Sequence, residues 1–135
     1  MPTLACKGLP DIILAFSYAC MIKIAPPIFN IDLPDFETQV LSASHQRPVL
    51  VDFWADWCAP CLAIAPVLSR VVESYAGEVL LAKLEVDEGE NMKLAGQFRV
   101  RGFPTIILFR DGHEQDRFSS ARPAQFIQQF IQQHL

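Results

Sequence analysis

Residues 49–61 read VLVDFWADWCAPC, an apolar run that ends in two cysteines at C-x-x-C spacing. The run follows Pro48 and holds a single carboxylate, Asp52, among apolar neighbours. Continuous rather than alternating apolarity is what a strand covered on both faces requires. From Pro60 to Tyr75 the pattern turns helical, and Gly77 closes it. The cysteines therefore stand at a strand-to-helix junction, and a buried acid lies just before them.

The rest of the chain extends this alternation. Residues 28–31 (IFNI) are a short strand candidate. Asp32 can cap a helix opening at Pro34, with Phe36, Val40 and Ala43 on its inner face. Residues 79–86 (VLLAKLEV) predict the next strand, residues 91–98 a short helix, and residues 105–109 (TIILF) another strand. An Asp111-Gly112 turn leads to a last strand near Arg117 and Phe118. A final helix opens at Pro123, with Phe126, Ile127, Phe130 and Ile131 as one stripe and Gln128, Gln129, Gln132 and Gln133 toward water. Strands alternating with helices and ending in a hairpin imply an α/β fold: a mixed sheet with helices on both faces, three layers in all.

Composition bounds the function. A chain of 135 residues with 51% hydrophobic and 19% charged residues reads as one globular domain with a real core. The net charge of −4, with no basic block, speaks against nucleic-acid and anionic-membrane partners. No apolar stretch reaches the roughly 18 residues of a spanning helix. The four cysteines, Cys6, Cys20, Cys58 and Cys61, are too sparse for a disulfide-stapled secreted scaffold. Residues 1–27 read as an N-terminal extension that Pro26-Pro27 separates from a domain at residues 28–135. Within that extension IILAFSYACMI is apolar and ends near Cys20, but Asp11 stands against it and only Lys7 is basic. Three readings stay open there: a dispensable extension, a start at Met21, or an export or lipidation signal.

Two cysteines at this spacing either ligate a metal or bond to each other. A tetrahedral zinc or an iron–sulfur cluster needs about four ligands, and Cys6, Cys20, His45, His113 and His134 are not spaced to complete a set. Two incidental core thiols fit poorly with a strand-to-helix junction. The junction suits redox chemistry instead. Cys58 lies at the helix N-terminus, where unpaired N–H groups and the helix dipole favour the thiolate, the reactive form. Cys61 lies one turn inside and toward the core. This makes Cys58 the attacking and Cys61 the resolving thiol. Pro60 fits the first helical turn and withholds one N–H donor, which makes the couple more reducing.

VDFWADWCAPC, Ile64-Ala65-Pro66 within the helix, Lys83 on the next strand and RGFPT at residues 101–105 together resemble the thioredoxin family, in order and at the expected spacing, from about Asp32 to the C-terminus. The resemblance implies the thioredoxin fold and protein disulfide exchange with no cofactor beyond the Cys58–Cys61 disulfide. It implies that Pro104 is a cis-proline facing the cysteines and that Phe103 pairs with substrate backbone. It matches Asp52 to the family's buried carboxylate and Lys83 to its neighbour. Physically, an acid in an apolar strand is pushed toward its neutral form, so Asp52 can trade a proton with Cys61; a purely structural Asp52–Lys83 pair is the alternative. Trp57 reads as partner-contact surface, and Trp54 as either contact or core.

The resemblance departs at three places. Ala59 stands where the family usually has Gly, Leu62 replaces a basic residue, and Ser119-Ser120-Ala121 replaces a Gly-containing substrate loop. Ala59, Pro60 and Ser120 join Trp57, Phe103 and Pro104 as candidate substrate contacts. The expectation is a monomeric cytoplasmic protein-disulfide reductase, recharged by a thioredoxin reductase, without metal, nucleic-acid or stable membrane association. The rivals are an exported or lipid-anchored exchanger and a binding or co-chaperone module with little turnover.

Overall fold

The computed structural model describes residues 26–135. The expectations for the N-terminal segment, including Cys6, Cys20 and Met21, fall outside the described residues. Strand β1 (Ile28–Asn30) is followed by three short helical stretches, Leu33–Asp35, Glu37–Ser42 and Ala43–His45. Then come β2 (Val49–Trp54), helix α1 (Ala59–Ser74), β3 (Leu80–Glu85), α2 (Met92–Gln97), β4 (Thr105–Arg110), β5 (His113–Ser119) and α3 (Ala124–Gln132).

The strands form one sheet in the order β1-β3-β2-β4-β5. Pairs β1/β3 and β3/β2 are parallel, while β2/β4 and β4/β5 are antiparallel. This is the mixed sheet that the alternating pattern predicts. Strand β2 is central and pairs on both edges, which is why its apolar run is continuous. On one sheet face, Ile64, Leu68 and Val72 of α1 and Ile127 and Ile131 of α3 pack against Leu50, Leu81, Ile106 and Leu108. On the other, Phe36 and Val40 of the first helical region and Leu94 and Ala95 of α2 cover Val51, Phe53, Ile107 and Phe109. The fold is therefore three layers deep.

The first helical region differs from the regular helix expected after Asp32. Its middle stretch is π-wound between two tight 3-10 turns. Its fully buried side chains are Phe36, Val40 and Ser44, spaced four residues apart. An α-helix with 3.6 residues per turn would rotate such a set steadily away from the core, and wider turns keep it facing inward. Ala43, expected on the inner face, is half-buried, and Ser44 takes that place. The Ser44 hydroxyl donates to Leu41 O (2.7 Å) and accepts from the Gly112 N–H (2.8 Å), which anchors the β4–β5 turn. Asp111 and Gly112 both have positive φ, 55° and 81°, the backbone of a two-residue hairpin of the expected Asp-Gly type.

Asp32 is the N-cap of that helical region, as expected, and forms a capping box with Asp35. The Asp32 carboxylate also accepts from Asn91 Nδ2 at 2.9 Å, and the Asp35 carboxylate takes the Asp32 N–H at 3.2 Å. Asn91 is fully buried; its Nδ2 also donates to Glu85 O and its Oδ1 accepts from the Leu33 N–H. One amide thus ties the end of β3 to the start of the first helical region. Asn91→Ala should cost about 2 kcal/mol, because it leaves the Leu33 N–H without its partner and removes one of two donors from Glu85 O, which keeps the Glu88 N–H. A urea unfolding midpoint measures this, and a loss below about 1 kcal/mol would show that the tie is dispensable.

Candidate functional site

The disulfide sits where β2 ends and α1 begins, at the carboxyl end of the central parallel strands, where open α/β sheets place their sites. Cys58 is the N-cap of α1, in extended backbone (φ −93°, ψ 105°). Its own N–H donates to Ala55 O at 3.2 Å, and the N–H of Leu62 reaches Cys58 O at 3.2 Å. Cys58 and Cys61 are bonded as a disulfide with a Cα–Cα separation of 5.3 Å. The Cys61 N–H donates to Cys58 Sγ at 3.2 Å. The exposed N-terminus of a 16-residue helix thus aims an otherwise unpaired donor at the first sulfur. Ala59 and Pro60 occupy the first helical turn between the two, both exposed.

In the disulfide form both sulfurs are well enclosed. It is 5% exposed and Cys61 1%, and both join the hydrophobic cluster of the Phe36 face. The sulfur–sulfur bond folds Cys58 down onto Cys61, and Trp54 and Phe103 pack against the same cluster. What stands open around the pair is apolar: Trp57 at 65% and Leu62 at 54% are among the most exposed large hydrophobic side chains described. Trp57 meets Phe103 edge to face at 6.0 Å. Its Nε1 donates to Asp87 Oδ2 at 2.6 Å, which holds the indole in place at the rim. Asp87 is the site neighbour that sequence reasoning missed. It lies 30 positions from Trp57, and nothing in its local sequence marks it.

The loop before β4 faces this rim. The Phe103–Pro104 peptide bond is cis and Pro104 is buried. Among the described residues, no backbone hydrogen bond engages the N–H or C=O of Phe103. The next loop, after β5, touches it: the Ser120 N–H donates to Pro104 O at 3.1 Å. The structure therefore brings Cys58, Cys61, Ala59, Pro60, Trp57, Phe103, Pro104 and Ser120 to one end of the sheet.

Asp52 lies beneath. It shares its strand face with Leu50, which packs against Ile64 and Leu68, the α1 residues one and two turns beyond Cys61. It is 1% exposed, and its Oδ1 has no hydrogen-bond partner among the described residues. Burial pushes its carboxyl up from the ordinary 3.8 to about 7, and the charge of Lys83 offsets part of that rise. Lys83 is its register neighbour on β3, but the two form no ion pair within 4.0 Å. The Lys83 ammonium lies instead over the Trp54 ring, 5.2 Å from its centroid. Asp52 and Lys83 are thus coupled through charge across neighbouring strands without a direct ion pair. Trp54 is half-buried and belongs to the packing, with its Nε1 also unpartnered among the described residues.

The family model "Thioredoxin" matches residues 28–133. The chain belongs to the thioredoxin family. It is 38% identical over 101 residues to a thioredoxin of Chlorobaculum thiosulfatiphilum, a match covering 75% of this chain and 90% of that protein. It is 40% identical over 108 residues to thioredoxin C-2 of Corynebacterium nephridii, covering 80% and 96%. With a thioredoxin of Pseudomonas aeruginosa it shares 46% over 86 residues, covering 64% and 76%. Family and Cys58–Cys61 pair together make it a thioredoxin-type protein disulfide oxidoreductase. Among the described residues, no group of three or more His, Cys, Asp or Glu is placed to hold a metal, and no helix is long and apolar enough to cross a membrane.

Proposed function

We propose that this chain works in the reducing direction, with Cys58 as the attacking thiol and Cys61 as the resolving one. The Cys58 thiolate attacks a sulfur of a substrate disulfide, forming a mixed disulfide and releasing one substrate thiolate, which takes a proton from water. Cys61 then gives its proton to the Asp52 carboxylate and attacks Cys58 Sγ. The Cys58–Cys61 disulfide forms as the bond between Cys58 and the substrate breaks, and the second substrate sulfur leaves as a thiolate that takes up a proton, which returns Asp52 to its ionised form. Two electrons pass from the enzyme dithiol to the substrate. The observation that carries this assignment is the Cys61 N–H directed at Cys58 Sγ from the helix N-terminus, since a donor there favours negative charge on that sulfur. Lys83 acts through Asp52, whose ionised form its charge favours.

The partners in this reading are proteins with accessible disulfides, bound across Trp57, Ala59, Pro60, Phe103, Pro104 and Ser120. A thioredoxin reductase returns the electrons, no other cofactor takes part, and the protein acts as a monomer in the cytoplasm. The catalytic domain is residues 28–135, and residues 1–27 are an extension that carries no site residue. Insulin reduction driven by dithiothreitol tests the activity, and a chain lacking residues 1–23 should match the full chain in that assay. A full chain that leaves insulin intact would overturn the reductase reading. A truncated chain that stays folded but loses activity would overturn the domain assignment.

A further inference from the structure

Ser120 has a backbone conformation that a side-chain-bearing residue seldom adopts. Its φ is +73°, in the left-handed region where Cβ crowds the backbone and glycine is the usual occupant. Such a conformation persists only where the surroundings hold it, and here they do so on three sides. Before it, Ser119 closes β5 in register with Thr105; the two hydroxyls lie 3.2 Å apart, and Thr105 Oγ1 donates to Gly102 O at 2.7 Å. After it, Arg122 Nε donates to Ser119 O at 3.3 Å while its guanidinium lies 5.0 Å from the Phe126 ring centroid. Ser120 itself is bound through its N–H to Pro104 O. The main chain is thus bolted to the Phe103–Pro104 loop, and the exposed side chain is left at the edge of the redox site.

We propose that Ser120 is a specificity-determining residue, a steric gate whose side chain limits how closely a substrate's polypeptide backbone can lie along the open Phe103 backbone. This rests on the disulfide-exchange reading and adds a substrate class to it. The favoured substrates are extended segments with little bulk beside the disulfide. A disulfide with no polypeptide attached bypasses the gate, because it needs only the sulfur of Cys58. An exposed serine with no bearing on substrate entry is the competing account, and its only expected trace is a change in stability when the strain is relieved.

Two substitutions that both tolerate left-handed backbone separate these accounts: S120G removes the side chain, and S120N lengthens it. The readout is the rate constant of pre-reduced protein toward insulin, divided by that toward the small aryl disulfide dithiobis-nitrobenzoate. Taking this ratio cancels any change in the intrinsic reactivity of Cys58. The ratio should rise about tenfold in S120G and fall about tenfold in S120N, the low end of the scale at which a group too large or too small for its site alters selection. A ratio equal in all three proteins, or one out of the order glycine, serine, asparagine, would overturn the gate. A wild-type protein that reduces neither compound would bring down the exchange reading itself, and the gate with it.

Discussion

Cys58→Ser is expected to abolish disulfide exchange, and Cys61→Ser to convert the protein into a trap. Exchange begins only with a thiolate, and a hydroxyl at position 58 cannot supply a comparable nucleophile, so reduction of insulin should fall to the background set by dithiothreitol. With Cys61 replaced, Cys58 still attacks, but no neighbouring thiol resolves the adduct. Partner proteins should then accumulate as bands on a non-reducing gel that dithiothreitol removes. The same asymmetry should appear in the reduced wild type. Iodoacetamide at low concentration and mildly acidic pH should label Cys58 ahead of Cys61, which is 1% exposed and has no helix N–H directed at its sulfur. Trapping by Cys58→Ser in place of Cys61→Ser would reverse the assignment.

Asp52→Asn should slow the enzyme while stabilising it. The Asp52 carboxyl titrates at about 7 in the fold against 3.8 ordinarily, so between those values the folded chain holds a proton that the unfolded chain has released. Stability therefore falls as pH rises through that window and levels off above about 7, by about 4 kcal/mol if the whole shift is expressed. Asparagine never ionises and escapes this loss, though its buried amide forfeits about 1–3 kcal/mol where it lacks partners. The net gain should be about 1–3 kcal/mol above pH 7 and should turn into a loss of about 1–2 kcal/mol near pH 4, where only the amide's cost remains, read from urea midpoints at the two pH values. Turnover should fall about 10- to 100-fold near pH 7 to 8, at or below the low end of what a positioned proton acceptor contributes, because thiols also ionise directly into water. The wild-type rate should climb with pH through about 7 as Asp52 ionises, and that limb should be missing in Asp52→Asn. Normal turnover in the variant would make Asp52 a structural residue.

The wild-type and variant profiles also address Lys83. Its ammonium lies over Trp54 rather than against the carboxylate, and burial outweighs its attraction at Asp52. The fold keeps the acid poorly neutralised. Its pKa therefore falls in the range where it can both accept and return a proton at neutral pH.

Much of this protein follows from local pattern. The continuous apolar run of Val49–Trp54, the helical period after Cys61 and the Asp-Gly turn each depend on neighbours within a few residues, so backbone preference and periodicity reveal them directly. The placement of Cys58 at a helix N-terminus is local in the same sense, because the dipole and the free N–H groups belong to the helix that follows it. Strand β5 was legible only near Arg117 and Phe118: as an edge strand with much of its side-chain surface in water, its residues HEQDRFS lack a clean apolar alternation. Tertiary structure decided what depends on contacts between distant parts of the chain. Asn91 holds the Asp32 carboxylate from 59 positions away, and Asp87 steadies Trp57 across 30. Asp52 acquires its pKa of about 7, and Cys58 its shielding, from residues far along the chain. Desolvation and side-chain hydrogen bonding are set by whatever surrounds a group in space, and spacing along the sequence does not encode those surroundings.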